Sequence, residues 1–234
     1  MLQTLQYNVL GASGYAALGV LGLLLAIPPG YASPVFPASG LALALTLVSG
    51  YRMLPGIWID SLGLNIWVAW SQDDLTRDSI LVAALLGMGA MLQAASGAWL
   101  VRRFIQDRWQ MLMREQEIFA FFLLGGPVSC VISASVAQLT LFFSGAIGAA
   151  DVSWSWWNWW AGDTFGVLVF APLLLAFLGK QPYWKTRKAV IAPITLILVV
   201  LIVAGFVNTA KLENRQQQAE IQGIGQNIAF QLQE

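Results

Sequence analysis

Seven apolar runs, parted by short links that hold most of the charge, constrain this chain more than any other feature. They fall at residues 8–28, 35–50, 56–70, 79–101, 117–145, 154–178 and 189–207. A run of about 20 apolar residues matches the hydrocarbon core of a bilayer about 30 Å thick, and a helix satisfies all of its backbone hydrogen bonds there internally. The expected fold is therefore all-α, a polytopic membrane helix bundle of about seven transmembrane spans. Composition agrees: 58% of residues are hydrophobic and 10% charged, against roughly a quarter charged in a soluble domain.

The second and third runs are about fifteen residues each, which at 1.5 Å per residue falls short of the hydrocarbon thickness. Both are expected to be short or broken, with any non-helical turn shielded by neighbouring spans. Pro28, Pro29, Pro34 and Pro37 mark a turn between the first two runs. Gly125-Gly126-Pro127 is expected to kink the fifth. In the fourth, Gly87, Gly89, Ala90, Ala94, Ala95 and Gly97 permit close helix contact.

Across such a bundle Arg52, Arg102, Arg103, Arg108, Arg114, Lys180, Lys185, Arg187 and Lys188 fall on one side, and Arg77, Lys211 and Arg215 on the other. Nine against three is a positive-inside bias. The amino terminus is expected inside and the carboxyl terminus outside, as an odd span count also requires. The expected location is the bacterial inner (cytoplasmic) membrane, multi-pass. The start of the chain lacks the basic stretch and cleavage site of a secretory signal, so the first run is expected to be retained. Net charge is zero, which suggests no nucleic-acid partner.

Residues 1–207 form the expected membrane domain. Beyond it, residues 208–234 carry Ile221, Ile224, Ile228 and Leu232 at steps of three and four, one apolar stripe on an extracytoplasmic helix. That pattern runs to Glu234 without a cap, so the protein is expected to continue into an extracytoplasmic domain. The chain has no histidine and one cysteine, Cys130, so the usual zinc and haem ligands are almost absent and no cofactor or metal is expected. No phosphate loop, nucleophile elbow or catalytic dyad appears, and no enzymatic activity is expected.

Ionisable groups inside a membrane are costly and point to function. Asp60 lies near the inner end of the third run and Asp163 deeper in the sixth. A short carboxylate at the depth of Asp163 is protonated, hydrogen-bonded, turned to a wet cavity or paired with a cationic ligand. The packing alternative is a hydrogen bond to Asn65, Ser39 or Thr164. Just before it, Trp154, Trp156, Trp157, Trp159 and Trp160 place five indoles within seven residues, with Asn158 among them. An interfacial aromatic belt explains part of this run. Seven consecutive helical positions point in every direction, however, so some rings must face the interior, where they can enclose a cation or stack on a ring.

Phe36-Pro37-Ala38-Ser39-Gly40-Leu41-Ala42, Gly50-Tyr51-Arg52 with Leu54-Pro55-Gly56, and Trp159-Trp160-Ala161-Gly162-Asp163 with Gly166 and Pro172 occur in one order along residues 1–207. In these the chain resembles the membrane-associated sensor domains of the first MASE type, from bacterial histidine kinases and diguanylate cyclases. Asp60 departs from the family's tendency to a small residue there. Residues 210–234 resemble the opening helix of a CHASE-type extracytoplasmic sensor domain. The resemblance implies a sensory input domain that detects a small ligand or a membrane partner protein, acts as a homodimer in contact with membrane lipid, and signals to a kinase or cyclic-di-GMP output outside these residues. The candidate ligand-binding set is Asp163, Trp160, Trp159, Trp157, Trp156, Asn158, Asp60, Asn65 and Phe36. Two other readings compete: a small-solute transporter, suggested by short spans and an intramembrane aspartate, and a scaffold that recruits a partner through Arg102 to Arg114.

Overall fold

The computed structural model describes residues 14–23, 33, 35–106, 109, 114–178, 193, 197, 200 and 201. The chain divides into two compact units, Met1–Thr195 and Leu196–Glu234. In the second unit Ile197, Val200 and Leu201 are described, and all three are exposed. The stripe from Ile221 to Leu232 and the basic cluster from Lys180 to Lys188 lie outside the described residues.

Within the first unit the regular elements among the described residues are helical. They are α1 (Gly14–Leu23), α2 (Pro37–Ser49), a 3-10 turn (Tyr51–Met53), α3 (Leu54–Ser71), α4 (Arg77–Ile105), α5 (Glu115–Leu123), a π turn (Leu124–Val128), α6 (Ser129–Phe143) and α7 (Val152–Leu178). Three stretches, Arg77–Ile105, the continuous Glu115–Phe143, and Val152–Leu178, have 29, 29 and 27 residues. At 1.5 Å per residue each is about 40 Å long, enough to cross a bilayer. Large apolar side chains such as Ile59, Trp67, Leu81, Leu85, Trp99, Phe119 and Leu139 point outward. A surface of this kind is suited to lipid and would drive association in water.

The two short runs fare differently. α2 has 13 residues, about 20 Å of helix, and is buried from Pro37 through Leu47. It is the shielded, incomplete span expected, lying against α7 and α4. α3 is longer than expected, 18 residues or about 27 Å. The run is expected from residue 56, but proline in a first turn lacks only an N–H that has no intrahelical partner anyway, so the helix starts at Leu54 and runs on.

Close approach is written into the α2–α7 contact. Phe36, the extended residue before α2, donates its N–H to Gly162 O at 2.9 Å, and its own carbonyl oxygen faces Gly166, where any Cβ would collide with it. Gly40 meets the backbone of Gly166 and Ala171 in the same way. In α4, Gly87 packs on the Trp58 carbonyl, Gly89 on Val136, and Gly97 on Leu43 and Ser129. These are the helix contacts expected of its small residues.

Charge separates by end. The carboxyl end of α2 is held by arginines: Arg102 Nη2 donates to Thr46 O (3.1 Å) and Leu47 O (2.9 Å), and Arg52 Nε to Ser49 O (2.7 Å). Cations at these carbonyls complement the helix dipole. Arg103 and Arg114 belong to the same end, while Asp73, Asp74 and Asp151 in the links and Asp78 in the first turn of α4, beside Arg77, lie at the other. There Thr76 and Ser79 form a reciprocal capping box that starts α4.

The expected disturbance at Gly125-Gly126-Pro127 takes the form of one wide π turn inside the helix. Proline cannot donate to the preceding turn, and the extra residue relieves the clash of its ring. Side chains bind the carbonyls of this turn: Ser129 Oγ donates to Gly125 O (2.7 Å) and Trp160 Nε1 to Pro127 O (2.9 Å).

Candidate functional site

Asp163 is the twelfth residue of α7, about 17 Å along the axis from Val152. It is 3% exposed. Its backbone carbonyl accepts a hydrogen bond from Ser39 Oγ at 2.9 Å, so the α2–α7 contact fixes the main chain at this point. The carboxyl group does something else. Ser133 Oγ and the Trp159 indole N–H are its polar neighbours, and Oδ2 has no hydrogen-bond partner. A buried oxygen in that state costs roughly 1–3 kcal/mol, more if charged, unless water or a guest supplies the missing donor.

Space for one exists. Asp163 lines a partly open cavity of about 50 Å³, together with Tyr15 of α1, Phe36 and Ser39 at the start of α2, Ser61 and Asn65 of α3, Gln93 of α4, Ser133 of α6 and Trp159 of α7. Since about 10–15 Å³ of such space holds one water, the cavity has room for several waters or one small group. A second, open hollow of about 430 Å³ shares Asn65, Val68, Leu86 and Trp159 with the cavity wall, and its rim carries Asp74, Thr76, Asp78, Ser79 and Ser144. It opens at the acidic end. Asn65 and Trp159 thus stand between the two spaces.

The structure brings four of the nine candidate residues, Asp163, Trp159, Asn65 and Phe36, around one cavity. The others lie elsewhere. Trp156 Nε1 donates to Ser135 Oγ (3.2 Å), Trp160 Nε1 goes to Pro127 O, and the two rings stack with centroids 6.2 Å apart. Trp157 is exposed, its ring tilted 34° against that of Trp160 at 4.8 Å, and Asn158 is half-buried outside the cavity wall. Asp60 is half-buried on α3 and likewise outside that wall. The indoles therefore divide as seven consecutive helical positions require: Trp154 and Trp157 outward, Trp156 and Trp160 onto the π-turn helix, Trp159 to the cavity. The anticipated partners of the Asp163 carboxyl also change. Ser39 bonds its main chain, Asn65 Nδ2 turns to Ser61 O (2.8 Å), and Thr164 Oγ1 is itself unpartnered.

Sequence reasoning missed Tyr15, Ser33, Ser61, Gln93 and Ser133 as wall residues. Their signal is faint, since each is a small or neutral polar side chain with no distinctive spacing. Among the described residues no group of three or more His, Cys, Asp or Glu side chains gathers to hold a metal.

Among the described residues, a helical bundle with an apolar exterior, three helices long enough to cross a bilayer and a mostly apolar cavity set with a few polar side chains define a membrane-embedded domain. A family model, MASE1, matches residues 7–213. The chain belongs to the MASE1 family, whose members are non-catalytic membrane sensory domains of signalling receptors. No curated protein and no solved structure matches the chain.

Proposed function

We propose that this domain is the sensory input of a bacterial receptor of the histidine-kinase or diguanylate-cyclase kind, and that it detects a small ligand in the Asp163 cavity. One observation carries the reading: Asp163, whose buried Oδ2 has no hydrogen-bond partner, lines a cavity whose wall is shared with a hollow open at the acidic end. The charge separation supports an inner-membrane topology of seven spans in which the arginine end is cytoplasmic, the amino terminus is inside and the carboxyl terminus outside. Ligand would then enter from the outer face. The dimeric state, a CHASE-type continuation from residue 208 and the cytoplasmic output domain belong to the same proposal.

The route of the signal follows from what holds α6. Ser133 meets the cavity, and one turn away Ser129 and Trp160 hold the π turn. A guest that draws Ser133 or Trp159 toward itself loads a segment that has a second arrangement, the plain α-helix, one residue out of register. Two discrete packings biased by a ligand are what a population shift needs.

Ala90 lines the cavity. Ala90→Leu fills it with hydrocarbon and is expected to shift the basal output of the full-length receptor by about threefold or more at unchanged membrane abundance, a bias of roughly 0.65 kcal/mol between the two states. Wild-type output at wild-type abundance counts against a sensory cavity.

A further inference from the structure

The hydrogen-bond directions around the cavity name the chemical class of its guest. Ser33 Oγ donates to Val35 O (2.7 Å), Ser39 Oγ shares its one hydrogen between Phe36 O (2.8 Å) and Asp163 O (2.9 Å), Asn65 Nδ2 donates to Ser61 O (2.8 Å), Gln93 Nε2 to Cys130 Sγ (3.1 Å), and Trp159 Nε1 to Ser133 Oγ (3.2 Å). The orientation of Asn65 is compelled, because a backbone carbonyl can only accept. The amide nitrogens of Asn65 and Gln93 each keep a second hydrogen, and Tyr15, Ser61 and Ser133 add hydroxyls, but the wall atom left without a partner is an acceptor, Asp163 Oδ2. A guest that satisfies it must bring a donor.

It must also bring positive charge if the carboxylate is to remain ionised at this depth. Among the described residues no lysine or arginine lines the cavity, and Arg102 is engaged at the end of α2. The rest of the wall is apolar or aromatic: Tyr15 edge-on to Phe36 (centroids 6.4 Å apart), Leu23, Ala42, Leu64 and Leu86. A bare metal ion has no use for such a surface. An alkyl group does, and aromatic faces add attraction for an ammonium beside them. Outside, Asp74 and Asp78 on the rim of the open hollow attract cations toward it.

We infer that the Asp163 cavity binds a small alkylammonium cation, its N–H groups donated to Asp163 and Asn65 and its alkyl part packed against Tyr15, Phe36 and Leu64. The inference rests on the reading of this cavity as a ligand site. Its volume limits the guest to a few heavy atoms, of the size of methyl- or ethylammonium.

The test uses residues 1–234 in lipid nanodiscs, with tryptophan fluorescence and the thermal midpoint followed while methylammonium, ethylammonium, tetramethylammonium or sodium is added at constant ionic strength. Methyl- and ethylammonium are expected to give a saturable response, and tetramethylammonium, with no N–H, none. Asp163→Asn and, independently, Asn65→Leu are expected to weaken binding by about tenfold or more while the ligand-free midpoint shows a folded domain. Absence of any saturable alkylammonium response overturns the inference, as does equal affinity in both folded variants. Equal binding of sodium overturns it in favour of a metal cation. If Ala90→Leu shifts receptor output and no alkylammonium binds, the ligand class fails and the sensory reading survives. If alkylammonium binds and leaves the output of the full-length receptor unchanged, the sensory reading fails and the site survives.

Discussion

Gly166→Ala is expected to cost the domain more than about 4 kcal/mol, the range reserved for a named structural conflict, and to remove most folded protein from the membrane. The added methyl would lie on the Phe36 carbonyl oxygen, beside Ser39 Oγ. A side chain can rotate away from such a clash; this backbone cannot. Phe36 is held by its N–H to Gly162 O, and Pro37 begins α2 immediately after it. Relief would require α2 to withdraw from α7, opening the contact that also positions Asp163. Gly63→Ala is the control, because nothing lies within 4 Å of a Cβ there. It is expected to be neutral or to stabilise α3 by about 0.5–1 kcal/mol. Thermal unfolding in detergent decides, and midpoints for the two variants that agree within a degree or two would contradict the interlocked α2–α7 contact.

Arg102→Met ranks next, with an expected loss of about 3 kcal/mol. Two charge-assisted hydrogen bonds to Thr46 O and Leu47 O disappear, each worth about 1.5–3 kcal/mol where solvent is scarce, and so does the cation at the negative end of the α2 dipole. The Tyr51 ring also loses the guanidinium 5.2 Å from its centroid. Lysine at the same position restores the charge without the planar fork and is expected to recover only part of the stability. Arg103, one residue on and exposed, is the comparison. Arg103→Met is expected to stay within about 0.5 kcal/mol of wild type. Chemical or thermal denaturation of the pair measures the difference, and equal stabilities would show that the α2 terminus does not depend on Arg102.

Much of the fold is legible in the chain because lipid leaves few choices. Apolar length specifies helices, glycine and alanine in α4 foretell close packing, and Gly125-Gly126-Pro127 announces an irregular turn. The length of α3 was harder to read. The apolar run from 56 to 70 is about fifteen residues, yet a first-turn proline lets the helix begin at Leu54 and it continues to Ser71. The cavity wall was legible at Asp163, Trp159, Asn65 and Phe36, and most plainly at the acid. Asp163 stands out because an ionisable residue deep in a span is expensive, and the indoles beside it could not all face lipid. Which indole turns inward depends on the phase of α6, since Ser133, Ser135 and Pro127 choose among Trp159, Trp156 and Trp160. Tyr15, Ser61, Gln93 and Ser133 come from four different helices, and nothing in their spacing announces that tertiary packing will gather them. The importance of Gly166 likewise becomes physical only when the Phe36 carbonyl arrives opposite it.

Asn65 borders both the Asp163 cavity and the open hollow, which makes it the most direct probe of the central claim. In a full-length receptor carrying Cys130→Ala and freed of any other cysteine, Asn65→Cys is treated from the outer face with a membrane-impermeant cationic thiol reagent while receptor output is recorded. The account predicts that the cysteine is modified from outside and that output shifts as modification proceeds. Complete modification with unchanged output, or a folded protein whose residue 65 reacts only from the cytoplasmic face, would contradict it.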